Sequence, residues 1–155
     1  MPIRQSDFCI WSKALFRSNS SPGRIVSDFE HEFARYLGCK YARATASGRD
    51  AIELALDVLG IKAGDELLIP AYTLGELLAV IRAKGIVPIP VDIETDSFNL
   101  DASLLPKKVG PKTKAILATH LLGAPCDIEA ICAFAGKHGL VVIEDCAHAL
   151  GARIG

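Results

Sequence analysis

A few short groups of residues carry side chains able to do chemistry. Thr45-Ala46-Ser47-Gly48-Arg49 follows a short strand candidate and opens a run with helical spacing. A helix N-terminus presents unpaired N–H groups and a partial positive charge. Gly48 permits close backbone approach there, and Arg49 adds a full charge on a planar fork, so the segment can cradle a phosphate. Ser47 also suits a plain helix cap. The sequence contains neither GxxxxGK[ST] nor GxGxxG, and Ser47 lies in no GxSxG elbow.

Asp145 closes the apolar run Leu140–Ile143 after Glu144. A carboxylate at a strand end can hold a proton on a heterocyclic nitrogen, ligate a metal or act as a base. It can equally cap the turn Cys146-Ala147-His148. His148 follows three residues later, where a helical turn would bring it to Asp145. With His120 these make three potential ligands, the number a catalytic zinc needs. Nothing in the spacing fixes such a geometry, and no metal is expected. His120 also reads as a buried, satisfied histidine. Cys146 between Asp145 and His148 suggests a thiol nucleophile, against the commoner reading of a packed cysteine.

These residues need elements to position them. Val26, Phe29, Phe33 and Leu37 recur at helical spacing, with Gly38 as a stop. Tyr41–Thr45 reads as a short strand. Ile52, Ala55, Leu56 and Leu59 form the apolar side of a second helix opening at Ser47-Gly48. Glu66–Pro70 is a compact strand, Thr73–Lys84 a helix, and Ile86–Val91, with two prolines, an edge or irregular strand. Asp92–Pro111 is polar and loop-like, with one helical turn. Ala115–Thr119 and Leu140–Ile143 are buried strands flanking a helix over Asp127–His138 that Gly139 ends. Ser18–Gly23 reads as a loop, and residues 1–24 as an N-terminal extension. Alternating helices and apolar strands give an α/β fold: a three-layer αβα sandwich around a mostly parallel sheet. Ligands of such sheets bind beyond the carboxyl ends of the strands. Ser47, Gly48, Thr73, His120 and Asp145 stand at those ends.

Composition narrows the function classes. The 155 residues carry 17 basic and 18 acidic side chains, a formal charge of −1, so no basic footprint for nucleic acid or an anionic membrane exists. Half the residues are apolar and mean hydropathy is +0.31, a value that points to surface facing other protein. No run of about 18 apolar residues and no signal-peptide layout occurs, and a cytoplasmic location is expected. Cys9, Cys39, Cys126, Cys132 and Cys146 form no CxxC pair, as expected of free thiols in a reducing compartment. The chain stops soon after its last strand, and the expectation is the first part of a longer protein.

Taken together, four segments resemble the DegT/DnrJ/EryC1/StrS family of pyridoxal-phosphate-dependent, fold type I sugar aminotransferases. They are FEHEFARYLGCKYARATASGRDAIELALDVLGIKAGDELLIPAYT, GIVPIPVDIETDSFNLD, KTKAILATHLLGAPCDIEAI and HGLVVIEDCAHALGARIG, in that order over residues 25–155. The resemblance implies the N-terminal part of the PLP-binding large domain over 25–155. It also implies a homodimer, pyridoxal 5'-phosphate as cofactor, a nucleotide-linked keto sugar as substrate, and an amino-acid donor, glutamate by expectation.

The family pattern places cofactor-binding roles residue by residue. Ser47, Gly48 and Arg49 match its phosphate turn Ser-Gly-Thr, with Arg in place of Thr, so that hydroxyl contact is lost. Asp145 matches the Asp on the pyridine nitrogen, which keeps that nitrogen protonated. His148 matches a position beside the ring and its phenolic oxygen. Leu74 matches a position where an aromatic residue stacks on the ring. His120 matches the histidine of an H-x-x-G segment near the site. No lysine matches the Schiff-base lysine, so no catalytic residue is assigned and these 155 residues alone are expected not to transaminate. A binding module without that lysine is the alternative. A hydrolase or metal enzyme on Asp145, Cys146, His148 and His120 is a third reading.

Overall fold

The structure is a computed structural model that describes residues 22–154. Cys9 and most of the Ser18–Gly23 segment and of the N-terminal extension lie outside the described residues. The described chain forms two compact units, meeting in sequence between Ala46 and Ser47.

In the first unit, α1 spans Pro22–Leu37. It starts earlier than the periodicity predicts, so Pro22-Gly23 is helix rather than loop. Proline fits a first helical turn, where its missing N–H has no partner to lose. Phe29 and Phe33 stack with ring centroids 5.5 Å apart. Tyr41–Thr45, expected as a strand, pairs with no strand among the described residues. Its backbone donor at Ala44 goes instead to Glu30 Oε1 at 2.9 Å, and the same oxygen meets the Arg43 guanidinium at 3.3 Å.

The second unit runs α2 (Gly48–Val58), β1 (Glu66–Pro70), α3 (Gly75–Ala83), β2 (Val87–Val91), a 3-10 helix (Ala102–Lys107), β3 (Thr113–Thr119), a 3-10 turn (Leu121–Gly123), α4 (Ile128–His138) and β4 (Val141–Asp145). The sheet order is β2-β1-β3-β4, and every pairing is parallel. Alternate side chains leave opposite faces of each strand. Leu67, Ile69, Ala115, Leu117 and Ile143 meet Leu56 of α2 and Leu77 and Ile81 of α3. On the other face Leu68, Ile116 and Ala118 meet Leu105, Ile131 and Ala135. This is the three-layer arrangement that the alternation of elements predicts. Burying each fully enclosed Leu or Ile contributes roughly 1.5–3 kcal/mol.

Several boundaries differ from the sequence reading. α3 begins at Gly75 because Leu74 keeps an extended backbone, ψ 136°. β2 is an edge strand of the described sheet, as its prolines suit, pairing among the described residues with β1 alone. β4 starts at Val141 and includes Glu144 and Asp145. It is not fully buried: as the other edge of the described sheet it leaves Val141 38% exposed. Gly139 ends α4 at φ 65°, a left-handed conformation that suits glycine.

Candidate functional site

Parallel strands end together, so the segments after β1, β3 and β4 share one edge of the sheet. Those segments carry Leu74, His120 and Asp145. α2 feeds the start of β1 through a short connection and packs on the sheet, so its N-terminus lies toward the edge where the strands end. The fold therefore directs the predicted residues to one end of the second unit.

At α2, Ser47 is extended and its hydroxyl oxygen accepts from the Asp50 N–H at 3.2 Å. It is thus the helix cap that one reading anticipates, which leaves other first-turn amides outward. A Cβ at Gly48 would meet nothing within 4 Å, so the space before the helix is open. Arg49 is exposed and forms no ion pair among the described residues. Open space, outward amides and an uncompensated cation suit a phosphate. Leu74 is 69% exposed at the start of α3.

At β4, Asp145 is half-buried. Its Oδ1 accepts from Ala147 N–H at 3.0 Å, so the turn-capping role is real. Oδ2 has no hydrogen-bond partner among the described residues. The chain after Asp145 makes tight turns, Ala149 N–H to Cys146 and Ala152 N–H to Ala149, rather than a helix. No hydrogen bond joins the Asp145 and His148 side chains among the described residues. Exposed His148 instead receives the Leu122 N–H on Nδ1 at 3.4 Å.

His120 is 5% exposed and both ring nitrogens are engaged within the protein. Nδ1 accepts from Cys126 N–H at 3.1 Å, which places the ring proton of the neutral form on Nε2, facing Glu144 Oε2 at 3.1 Å. Its backbone N–H also bonds the Asp145 carbonyl at 3.0 Å. The ligand set His120, His148 and Asp145, which the spacing allows but does not favour, does not assemble. A different set does: donor atoms of His120, Glu144 and Cys146 lie within 4.8 Å of one another. A cation there would have to displace the Nε2 proton, and the tautomer then required would turn Nδ1–H against the Cys126 N–H. The cluster as built is a hydrogen-bonded pair beside a thiol. Burial and Glu144 raise the Cys146 pKa, with Asp145 adding to the effect, the opposite of an activated nucleophile.

Sequence reasoning did not single out Glu144 or Asn99. Glu144 adjoins the predicted Asp145, but alternation along the strand sends it to the other face. Asn99 is 1% exposed; its Oδ1 accepts from Leu121 N–H and its Nδ2 donates to the Ala124 carbonyl, both at 2.9 Å. No local pattern in a polar loop announces a contact so distant in sequence.

The model of the DegT/DnrJ/EryC1/StrS aminotransferase family matches residues 11–155. The chain belongs to this family. It is 43% identical over 133 residues to GDP-perosamine synthase of Caulobacter vibrioides, covering 86% of this chain and 36% of that protein. It is 41% identical over 130 residues to a dTDP-3-amino-3,6-dideoxy-alpha-D-galactopyranose transaminase of Aneurinibacillus thermoaerophilus, covering 84% of this chain and 36% of that protein. Among solved structures it resembles NtdA of Bacillus subtilis with bound cofactor PMP, with TM-score 0.81 and 37% identity over 85% of this chain and 30% of that one. The chain thus spans little more than a third of the curated relatives it matches.

Proposed function

We propose that these residues hold pyridoxal phosphate in a sugar aminotransferase acting on a nucleotide-linked keto sugar, with glutamate as the amino donor. The observation that carries the reading is Asp145, half-buried at the end of β4 with one oxygen committed to its own turn and Oδ2 without a partner among the described residues. That oxygen suits a protonated ring nitrogen. The first turn of α2, with Ser47, Gly48 and Arg49, would hold the phosphate. Leu74 would cover the ring by apolar contact and His148 would stand beside it. The bound cofactor supplies an electron sink and carries the amino group. Asp145 holds the nitrogen's proton, and the α2 turn fixes the phosphate end. The names of the relatives, on GDP- and dTDP-linked sugars, support the substrate class.

Two of the lysines are engaged elsewhere, one away from this end of the strands and one in the first unit. Lys84 pairs with Asp57 at 2.7 Å and Glu53 at 3.4 Å, chiefly the Asp57 bond raising its pKa. Lys40 lies over the Tyr41 ring at 5.0 Å. No lysine of this sequence matches the family's Schiff-base lysine, and on this reading the 155 residues bind the cofactor without covalent attachment and do not transaminate by themselves. The family resemblance supports a homodimer as part of this reading. No helix among the described residues is long and apolar enough to cross a membrane.

Titration of the chain with pyridoxal phosphate, followed by cofactor absorbance and then borohydride treatment, tests the reading. The expected result is saturable binding, no covalent fixation, and at least tenfold weaker binding in Asp145→Asn. Absence of binding, or an unchanged affinity in the variant, would refute it.

A further inference from the structure

We infer that Asn99 is a positioning residue that sets the proton position on the His148 ring. The inference rests on the reading that His148 stands beside the cofactor.

Asn99 is held from its own loop before it reaches out. Its N–H donates to Ser97 Oγ at 3.2 Å and its carbonyl accepts from Glu94 N–H at 2.9 Å. Its buried amide then grips the turn after β3 on both sides, at Leu121 N–H and at the Ala124 carbonyl. Between those grips Leu122 adopts φ 52°, ψ 23°. That left-handed conformation is unfavourable for a residue with a Cβ. The Leu122 side chain is 78% exposed, so burial does not hold it there. The two Asn99 bonds do, with the Ala124 N–H to Leu121 carbonyl bond closing the turn at 2.9 Å.

In this conformation the Leu122 N–H points at His148 Nδ1. A neutral imidazole that accepts on Nδ1 carries its proton on Nε2. Asn99 thus acts on His148 through one intervening backbone amide. It leaves the ring a hydrogen-bond donor at Nε2, which suits an oxygen acceptor on the cofactor.

Ring-nitrogen NMR of the whole labelled chain, at about pH 8.5 where imidazoles are neutral, tests this. His138 serves as internal reference, because its Nδ1 faces the Phe134 carbonyl at 2.9 Å and so carries the proton. His148 is expected in the Nε2–H form. Asn99→Ser and Asn99→Asp, the latter keeping an acceptor for Leu121, are expected to lower its tautomer ratio roughly threefold or more, with His138 unchanged. A wild-type His148 in the Nδ1–H form or an even mixture overturns the inference, as does an unchanged ratio in both variants. Should the variants unfold, amide exchange in the wild type decides: slow exchange at Leu121 and Leu122 supports the clasp, and free exchange overturns it. Failure to bind pyridoxal phosphate, with the tautomer as expected, would refute the functional reading and leave the clasp standing.

Discussion

The loops after β3 and β4 each carry a histidine, and the fold treats them oppositely. His120 is buried, with Nδ1 on the Cys126 amide and Nε2 on Glu144. His148 is exposed, with Nδ1 on the Leu122 amide and no partner for Nε2 among the described residues. Both sit near strand ends at the edge where this fold class binds ligands, yet one ring is spent on structure and the other keeps a donor to offer. Position at a strand end identifies the neighbourhood of a site; the hydrogen bonds already made decide which residues remain to serve it.

The sharpest way to break this contrast is to truncate each ring. His120→Ala strands the Cys126 amide in a buried place and leaves Glu144 without its partner. The expected cost is about 3 kcal/mol, seen as a lower urea midpoint at unchanged slope. His148→Ala is expected within about 0.5 kcal/mol of wild type. Equal losses would mean that both loops are structural.

A second contrast uses the thiols of the same loops. Burial, reinforced by Glu144, pushes the Cys126 pKa up to about 11, while Cys146, raised for the same reasons, is exposed. A thiol whose folded pKa lies above its ordinary value of 9.0 keeps its proton longer in the folded chain. Its contribution is fully present below about pH 9 and is lost as pH rises toward about 11, by up to roughly 2 kcal/mol. Cys126→Ala is expected to remove that part of the alkaline slope in denaturant melts at successive pH values. Iodoacetamide at pH 8 is expected to modify Cys146 well before Cys126. A flat wild-type profile would show that the β3 loop is less closed than its geometry implies.

Asp145 bridges the two roles. Asp145→Ala removes the bond from the Ala147 N–H and is expected to cost about 1 kcal/mol, within the range for a lost side-chain cap. Its effect on pyridoxal phosphate binding is expected to exceed its effect on stability. A thermal melt alongside a cofactor titration separates them, and the reverse order would make Asp145 a turn residue above all.

These contrasts also mark what the sequence makes legible. The parallel sheet is readable because its strands are short apolar runs between helical periods. Glu66–Pro70 is recovered residue for residue, and the prolines of β2 identify an edge. Ser47 and Asp145 stand out because cap and strand-end chemistry are local. Tyr41–Thr45 has strand-like composition, but a strand needs a partner, and composition cannot supply one. Glu144 and Asn99 are hidden for a related reason. Their roles depend on His120, Leu121 and Ala124, residues brought near only by folding.

The smallest effect tests the β3 end once more. Both ring nitrogens and the backbone N–H of His120 are engaged, yet Thr119 beside it keeps a buried Oγ1 with no hydrogen-bond partner among the described residues, in register with Asp145 on β4. An unsatisfied buried hydroxyl opposes folding, and valine has nearly the same shape without it. Thr119→Val is therefore expected to leave stability unchanged or raise it by up to about 1 kcal/mol, measured by urea denaturation. Thr119→Ser, which keeps the hydroxyl and drops a methyl, is expected to lose about 1 kcal/mol. A clear loss in the valine variant would reveal a partner for the hydroxyl in solution. The end of β3 would then hold polar demands that its own loop does not meet, and its contrast with the open end of β4 would narrow.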